Sequence, residues 1–200
     1  MISSRLLLLF LAGTVAGLSG ATLTVGDTFL GIVQIQAFGP LGESFTVPGT
    51  PVQSLGFRLN SLNPTEPVGS LTLTIRAGDG INGSIIGTQI LTPAAGTNGY
   101  FDFPVDSYSF TAGQMYTGLL TSNTIYWGLY VGSDVYSGGK AYSRVPLPIP
   151  EPNDVAFRLT YTAIPEPGSL LLVAAGIVTI AIRTVQSYTC ASPVPWRGKS

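Results

Sequence analysis

Apolar and polar residues alternate with a period of two along three stretches of this chain. Leu55, Phe57 and Leu59 alternate with Ser54, Gly56, Arg58 and Asn60. Leu71, Leu73 and Ile75 alternate with Thr72, Thr74 and Arg76, and Val155, Phe157, Leu159 and Tyr161 with Ala156, Arg158 and Thr160. This pattern puts one face of a strand in a core and the other in water. Further strands are predicted near 29–37, 43–47, 85–91, 99–103, 114–121 and 124–130, and the last alternating stretch extends over 154–162. Turn signals separate them: Pro48-Gly49, Asn63-Pro64, Gly78-Asp79-Gly80, Asn82-Gly83, Asn98-Gly99, Ala112-Gly113 and Gly138-Gly139. No window has the 3.6-residue period of a soluble amphipathic helix. The expectation is an all-β domain over residues 22–163, an antiparallel β-sandwich of jelly-roll type.

Two stretches break the pattern. Val145-Pro146-Leu147-Pro148-Ile149-Pro150-Glu151-Pro152 alternates proline for four cycles. Proline lacks the donor a central strand needs, so this stretch is predicted to be an extended surface crossing. The other break is at the ends, where the apolar runs are continuous. Residues 1–21 read as a signal peptide and helix: Arg5 gives a positive start, Leu6–Leu11 opens the apolar run, and Ser19-Gly20-Ala21 offers small residues for cleavage. Near the other end, Ile164-Pro165-Glu166-Pro167-Gly168-Ser169 precedes the apolar run Leu170–Ile182 and then Arg183. A Pro-Glu-Pro tripeptide cannot sit inside a helix or a central strand, so it forms a rigid hinge before a hydrophobic helix with a positive stop. From Gly168 to Ile182 such a helix rises roughly 22 Å, short of the ~30 Å of bilayer hydrocarbon. Arg183 must reach outward for the run to span.

The tripeptide, its spacing and the apolar run at 164–183 resemble the PEP-CTERM sorting signal of Gram-negative bacteria. The resemblance implies Pro165, Glu166, Pro167 and Arg183 as the sorting motif, and export as the route. It also implies the membrane through residues 168–182 before processing, and an exosortase that cleaves near the motif. A second copy, Pro150-Glu151-Pro152, is followed by polar Asn153-Asp154 and has no apolar run behind it. Residues 184–200 depart from the family pattern. They carry Pro193, Pro195 and Gly198 without apolar periodicity, and are predicted to form a disordered tail.

Composition narrows the function. Residues 22–164 hold five basic residues against nine acidic ones, leaving −4. A mildly acidic domain without a basic stripe excludes nucleic acid as a partner. The chain has no histidine and one cysteine, Cys190. That excludes Ser-His-Asp and Cys-His catalysis, His/Cys zinc sites and an internal disulfide, and no cofactor is expected.

Glu43–Val47, Val52–Leu59, Ile75–Gly83, Tyr136–Tyr142 and Asn153–Leu159, in that order, resemble the exported choice-of-anchor β-sandwich domains of bacteria. More loosely, they resemble galactose-binding-type jelly rolls. The first resemblance implies surface location, and it carries no catalytic residue to this chain. The expected function is therefore an exported, non-enzymatic protein of the cell surface or extracellular matrix, associated with exopolysaccharide.

Three groups of residues remain as candidate chemistry. Asp102 and Asp106 flank Pro104, but four residues of extended strand separate them by roughly 13 Å, too far for a glycosidase pair unless the strand bends. Asp79 and Asn82, among Gly78, Gly80 and Gly83, offer oxygen ligands to calcium, though without the acid pattern of an EF-hand. The tyrosines Tyr126, Tyr130, Tyr136 and Tyr142 suggest a carbohydrate-binding surface, because sugar C–H faces stack on exposed aromatics. Alternation puts Ile125, Trp127 and Leu129 in the core, and Tyr126 and Tyr130 outside with Gly128 as a groove between them. A carbohydrate-binding module is thus the first alternative function, and a glycan-processing enzyme the second.

Overall fold

The computed structural model describes residues 20–26, 28–65, 69–133, 136–147 and 153–163. Over these residues the alternation resolves into twelve strands in two antiparallel sheets. Strands β1 (Gly20–Val25), β2 (Phe29–Gln34), β4 (Val52–Ser61), β7 (Asn98–Pro104), β9 (Trp127–Ser133), β11 (Asn153–Val155) and β12 (Phe157–Thr162) make one sheet. Strands β3 (Leu41–Thr46), β5 (Leu71–Ala77), β6 (Ile85–Leu91), β8 (Met115–Ser122) and β10 (Ala141–Tyr142) make the other, in the order β10-β3-β8-β5-β6. The chain passes from one sheet to the other at eight of the eleven connections between these strands. It falls into two compact units, Met1–Ile164 and Pro165–Ser200. The second unit, with Pro165, Glu166, Pro167 and Arg183 of the expected sorting motif, lies outside the described residues. So do residues 1–19 and the proline-rich positions 148–152. No helix among the described residues is long and apolar enough to cross a membrane.

The predicted inward faces form the core. Leu55, Phe57 and Leu59 of β4, Leu71, Leu73 and Ile75 of β5, and Val155, Phe157 and Leu159 are all buried. Between the sheets, a Cβ built on Gly118 of β8 would lie 2.6 Å from Leu55 Cδ2 and 3.3 Å from Phe57 Cζ. Gly118 thus opens the slot into which β4 packs. Trp127 is fully buried, and its indole N–H donates to Gly69 O at 3.0 Å, giving its one polar atom a partner.

Four details differ from the expectation. The strand expected over 29–37 ends at Gln34, and Ile35–Phe38 forms a single helical turn, α1, closed by Gly39 N–H donating to Ile35 O at 2.7 Å. Gly20 and Ala21, read as a cleavage site, are the first residues of β1 and pair with Thr162 and Tyr161. The segment near 124–130 starts as a strand only at Trp127, so Ile125 sits in the preceding turn and is 53% exposed rather than in the core. The strand expected over 154–162 is two strands. β12 runs antiparallel to β4, whereas β11 runs antiparallel to β9, which is itself antiparallel to β4. The chain therefore changes partner strand at Ala156. Ala156 is buried, its N–H donates to Tyr130 O and its carbonyl accepts from Arg58 N–H, each at 2.9 Å.

Candidate functional site

The water-facing half of the β4 alternation builds a polar face across four strands. Gly56 of β4 is the register partner of both Arg158 of β12 and Asp102 of β7. Arg158 reaches over it to Asp102, with Nε donating to Oδ1 at 2.7 Å and Nη2 donating to Oδ2. A side chain at 56 would block this bridge, because a Cβ there would stand 2.2 Å from Asp102 Oδ1 and 3.0 Å from Arg158 Cγ. Hydrogen bonding to Asp102 pushes the Arg158 guanidinium pKa further up.

One step along β4, Arg58 is the register partner of Tyr100. The Arg58 guanidinium carbon lies 4.5 Å from the centre of the Tyr130 ring, and that of Arg158 lies 5.0 Å from the centre of the Tyr100 ring. Guanidinium and phenol groups therefore alternate across the sheet, held by cation–π attraction. The phenols are fixed at their far ends. Tyr130 O–H donates to Asn98 Oδ1 at 2.7 Å and accepts from Asn60 Nδ2 at 3.3 Å, while Tyr100 O–H donates to Val25 O at 3.2 Å. Arg58 forms no ion pair and no side-chain hydrogen bond among the described residues.

The four tyrosines proposed from the sequence do not converge. Tyr130 alone belongs to this face. Tyr126 is half-buried against the core, and the position between them is filled: a Cβ on Gly128 would meet Ile32 Cγ2 at 2.3 Å and Leu62 Cδ2 at 3.2 Å. Gly128 is thus the seat of two apolar side chains rather than a groove. Tyr136 lies between the sheets, its ring 5.4 Å from that of Phe157, and Thr46 N–H donates to its phenol oxygen at 3.1 Å. Burial pushes its pKa up, and the charges of Glu43 and Asp154 push it further. Both acids are buried: Glu43 Oε2 accepts from Val155 N–H at 2.9 Å, and Asp154 Oδ2 from Tyr136 N–H at 3.0 Å. They tie β3 to β11 and β11 to the segment before β10.

Tyr142 belongs to the other sheet, where its hydroxyl donates to Asp79 Oδ1 at 2.6 Å and Lys140 Nζ meets Asp79 Oδ2 at 3.1 Å. The Tyr142 hydrogen bond, with help from Lys140, pulls the Asp79 pKa down against a modest cost of burial. Both carboxylate oxygens of the candidate calcium ligand are thereby engaged. Asn82 follows in the same loop, and no group of three or more acidic, histidine or cysteine residues among the described residues could hold a metal. Of the acids beside Pro104, Asp102 is in the bridge to Arg158 and Asp106 is exposed in the turn beyond β7. A shallow cavity of about 270 Å³ on the five-stranded sheet is lined by Pro40, Thr74, Arg76, Ile81, Leu119 and Thr121. Its arginine is held by the Gly83 carbonyl at 2.7 Å.

Sequence reasoning missed Arg58, Tyr100 and Arg158 as neighbours. Each was visible as the polar member of an alternation, but only register brings them together. No protein-family model matches the chain, and no curated protein is similar to it in sequence.

Proposed function

We propose that this chain is an exported, non-catalytic β-sandwich sorted through the PEP-CTERM-like segment at 164–183. Its place is the outer envelope or extracellular matrix of a Gram-negative bacterium, in association with exopolysaccharide. The domain resembles choice-of-anchor sandwiches, and its repeated crossing between sheets fits a jelly-roll-like path. One observation carries the association with sugar: the pre-arranged row of Tyr130, Arg58, Tyr100 and Arg158 on an open sheet face. Phenol, guanidinium and amide groups held rigid on strands are what recognition of a hydroxyl-rich polymer requires. A non-catalytic role is supported by Asp102, whose two oxygens are committed to Arg158 and so are poorly placed for acid–base work.

Fractionation of the native host tests this reading. The protein should be found with the matrix, and its intact mass should show loss of about Met1–Ala21 and a cut near Pro165–Pro167. In a strain unable to make exopolysaccharide it should move to the medium. Unchanged fractionation in that strain would overturn the association with polysaccharide, and retention of Leu170–Ile182 would overturn the cleavage.

A further inference from the structure

We infer that the outer face of the seven-stranded sheet binds an acidic polysaccharide, with Arg58 receiving the carboxylate of a uronic-acid residue. The inference rests on the association with exopolysaccharide proposed above and names the chemical class of that polymer.

The two aromatic rings of the row limit what it can hold. A neutral sugar is commonly held by laying its C–H face on an open aromatic ring. Here each ring already has a guanidinium over it, Arg58 over Tyr130 and Arg158 over Tyr100. The rings act instead as platforms beneath the guanidinium groups. Arg158 is then satisfied by Asp102 through two hydrogen bonds. Arg58 differs: it lies on Tyr130 without a carboxylate partner among the described residues. The row thus holds two guanidinium groups and one carboxylate, a net charge of +1 in a domain whose sequence is acidic overall.

Such an arginine is a pre-organised receptor for an oxyanion. Its planar fork matches a carboxylate with two parallel hydrogen bonds, and a stacked guanidinium is less strongly hydrated than an ammonium, so less is lost on binding. The ring beneath it is braced by Asn60 and Asn98. Charge sets the class of the polymer, and the open sheet face suits a chain that passes across it.

The test uses the full-length chain in mild detergent with polygalacturonate, the same polymer after reduction of its carboxyl groups, and poly-glutamate as probes. Polygalacturonate should bind at least tenfold more tightly than its reduced form, with an advantage that falls as salt rises. Arg58→Gln should weaken polygalacturonate binding at least tenfold, and Arg58→Lys by less. Arg144→Gln, at an exposed arginine away from the row, should leave it unchanged. A melting temperature for Arg58→Gln close to wild type shows that the loss is not one of folding, and Tyr130→Phe, which keeps the ring under Arg58, should retain the preference for acid. Equal binding of acidic and reduced polymers overturns this inference while leaving the polysaccharide association standing. Binding of neither polymer overturns both. Equal binding of poly-glutamate would assign the face to acidic peptides and overturn the sugar. Full binding by Arg58→Gln would remove Arg58 from the site and refute the proposal.

Discussion

Gly118 offers the sharpest test of how the two sheets meet. A methyl group added there would sit 2.6 Å from Leu55 Cδ2, 3.3 Å from Phe57 Cζ and 3.7 Å from Phe45 Cε1. The first distance is well inside ordinary carbon–carbon contact, and Leu55 is fully buried. Gly118→Ala should therefore destabilise by about 1–3 kcal/mol, the usual cost of overpacking. Leu55→Ala removes the atom in conflict and leaves a cavity, with an expected loss of about 2–5 kcal/mol. In the double variant the new methyl occupies part of that cavity. Its loss should fall short of the sum of the single losses by about 0.5–3 kcal/mol. Urea unfolding of the four proteins, followed by tryptophan fluorescence and circular dichroism, measures all three terms. Singles and double that add within ~0.5 kcal/mol would show that Leu55 and residue 118 do not share space, and the packing of β4 on β8 would be wrong.

Three further outcomes check other parts of the molecule. Phe57→Asp, Leu73→Asp and Phe157→Asp should each unfold the domain, since an unpaired buried carboxylate costs several kcal/mol against a total of roughly 5–15; cooperative wild-type-like melting of all three would defeat the inward register. Asp102→Asn should cost only about 0.5–1 kcal/mol, because the bridge to Arg158 is about one-third exposed on both sides, and it should cost less in an Arg158→Gln background; additivity would show the bridge to be energetically idle. Asp79→Asn should lower the melting temperature slightly at neutral pH. The folded pKa of Asp79 is held down by Tyr142 and Lys140, so its contribution is present above the ordinary carboxylate value and lost as pH falls through the folded value. The difference between variant and wild type should close on acidification, and one that widens would contradict the assigned partners.

The sandwich was legible wherever one face of a strand is buried and the other wet. In β4 and β5 the pattern Leu-x-Phe-x-Leu or Leu-x-Leu-x-Ile reports that asymmetry directly. It failed where neighbours rather than faces decide. Val155 and Phe157 keep the alternation through Ala156, yet the chain changes partner there, and no local pattern records a change of partner. β1 was hidden because Gly20 and Ala21, small enough for a cleavage site, are also small enough for an edge strand. Glu43 reads as polar, yet it faces inward between Leu41 and Phe45, since the Val155 amide gives it a partner. The tyrosines misled for a topological reason. Tyr130 and Tyr142 are close in sequence, but the chain crosses between sheets from β9 to β10 and separates them. The row that does form joins β4, β7, β9 and β12, which lie far apart along the chain.

The register of β1 links the two ends of the sandwich. Gly20 opposes Thr162 and Ala21 opposes Tyr161, while Thr22 to Val25 oppose Thr160 to Phe157. Cleavage after Ala21 would remove the first two pairs and leave the last four. Tyr161 and Thr162 would then be held from one side only, through Tyr161 against Val52 and Thr162 N–H donating to Pro51 O at 2.9 Å. These residues immediately precede Ile164-Pro165-Glu166-Pro167 in the sequence. Under the processing proposed above, loss of residues 1–21 would free one side of the strand end at Tyr161 and Thr162. The expected outcome is faster amide exchange at Tyr161 and Thr162 in a chain beginning at Thr22 than in one beginning at Gly20, with exchange at Leu55 and Phe57 unchanged, since end pairs open locally while core strands open only globally. Equal exchange at Tyr161 and Thr162 in the two chains would refute the coupling. It would place the hold on that strand end entirely with β4.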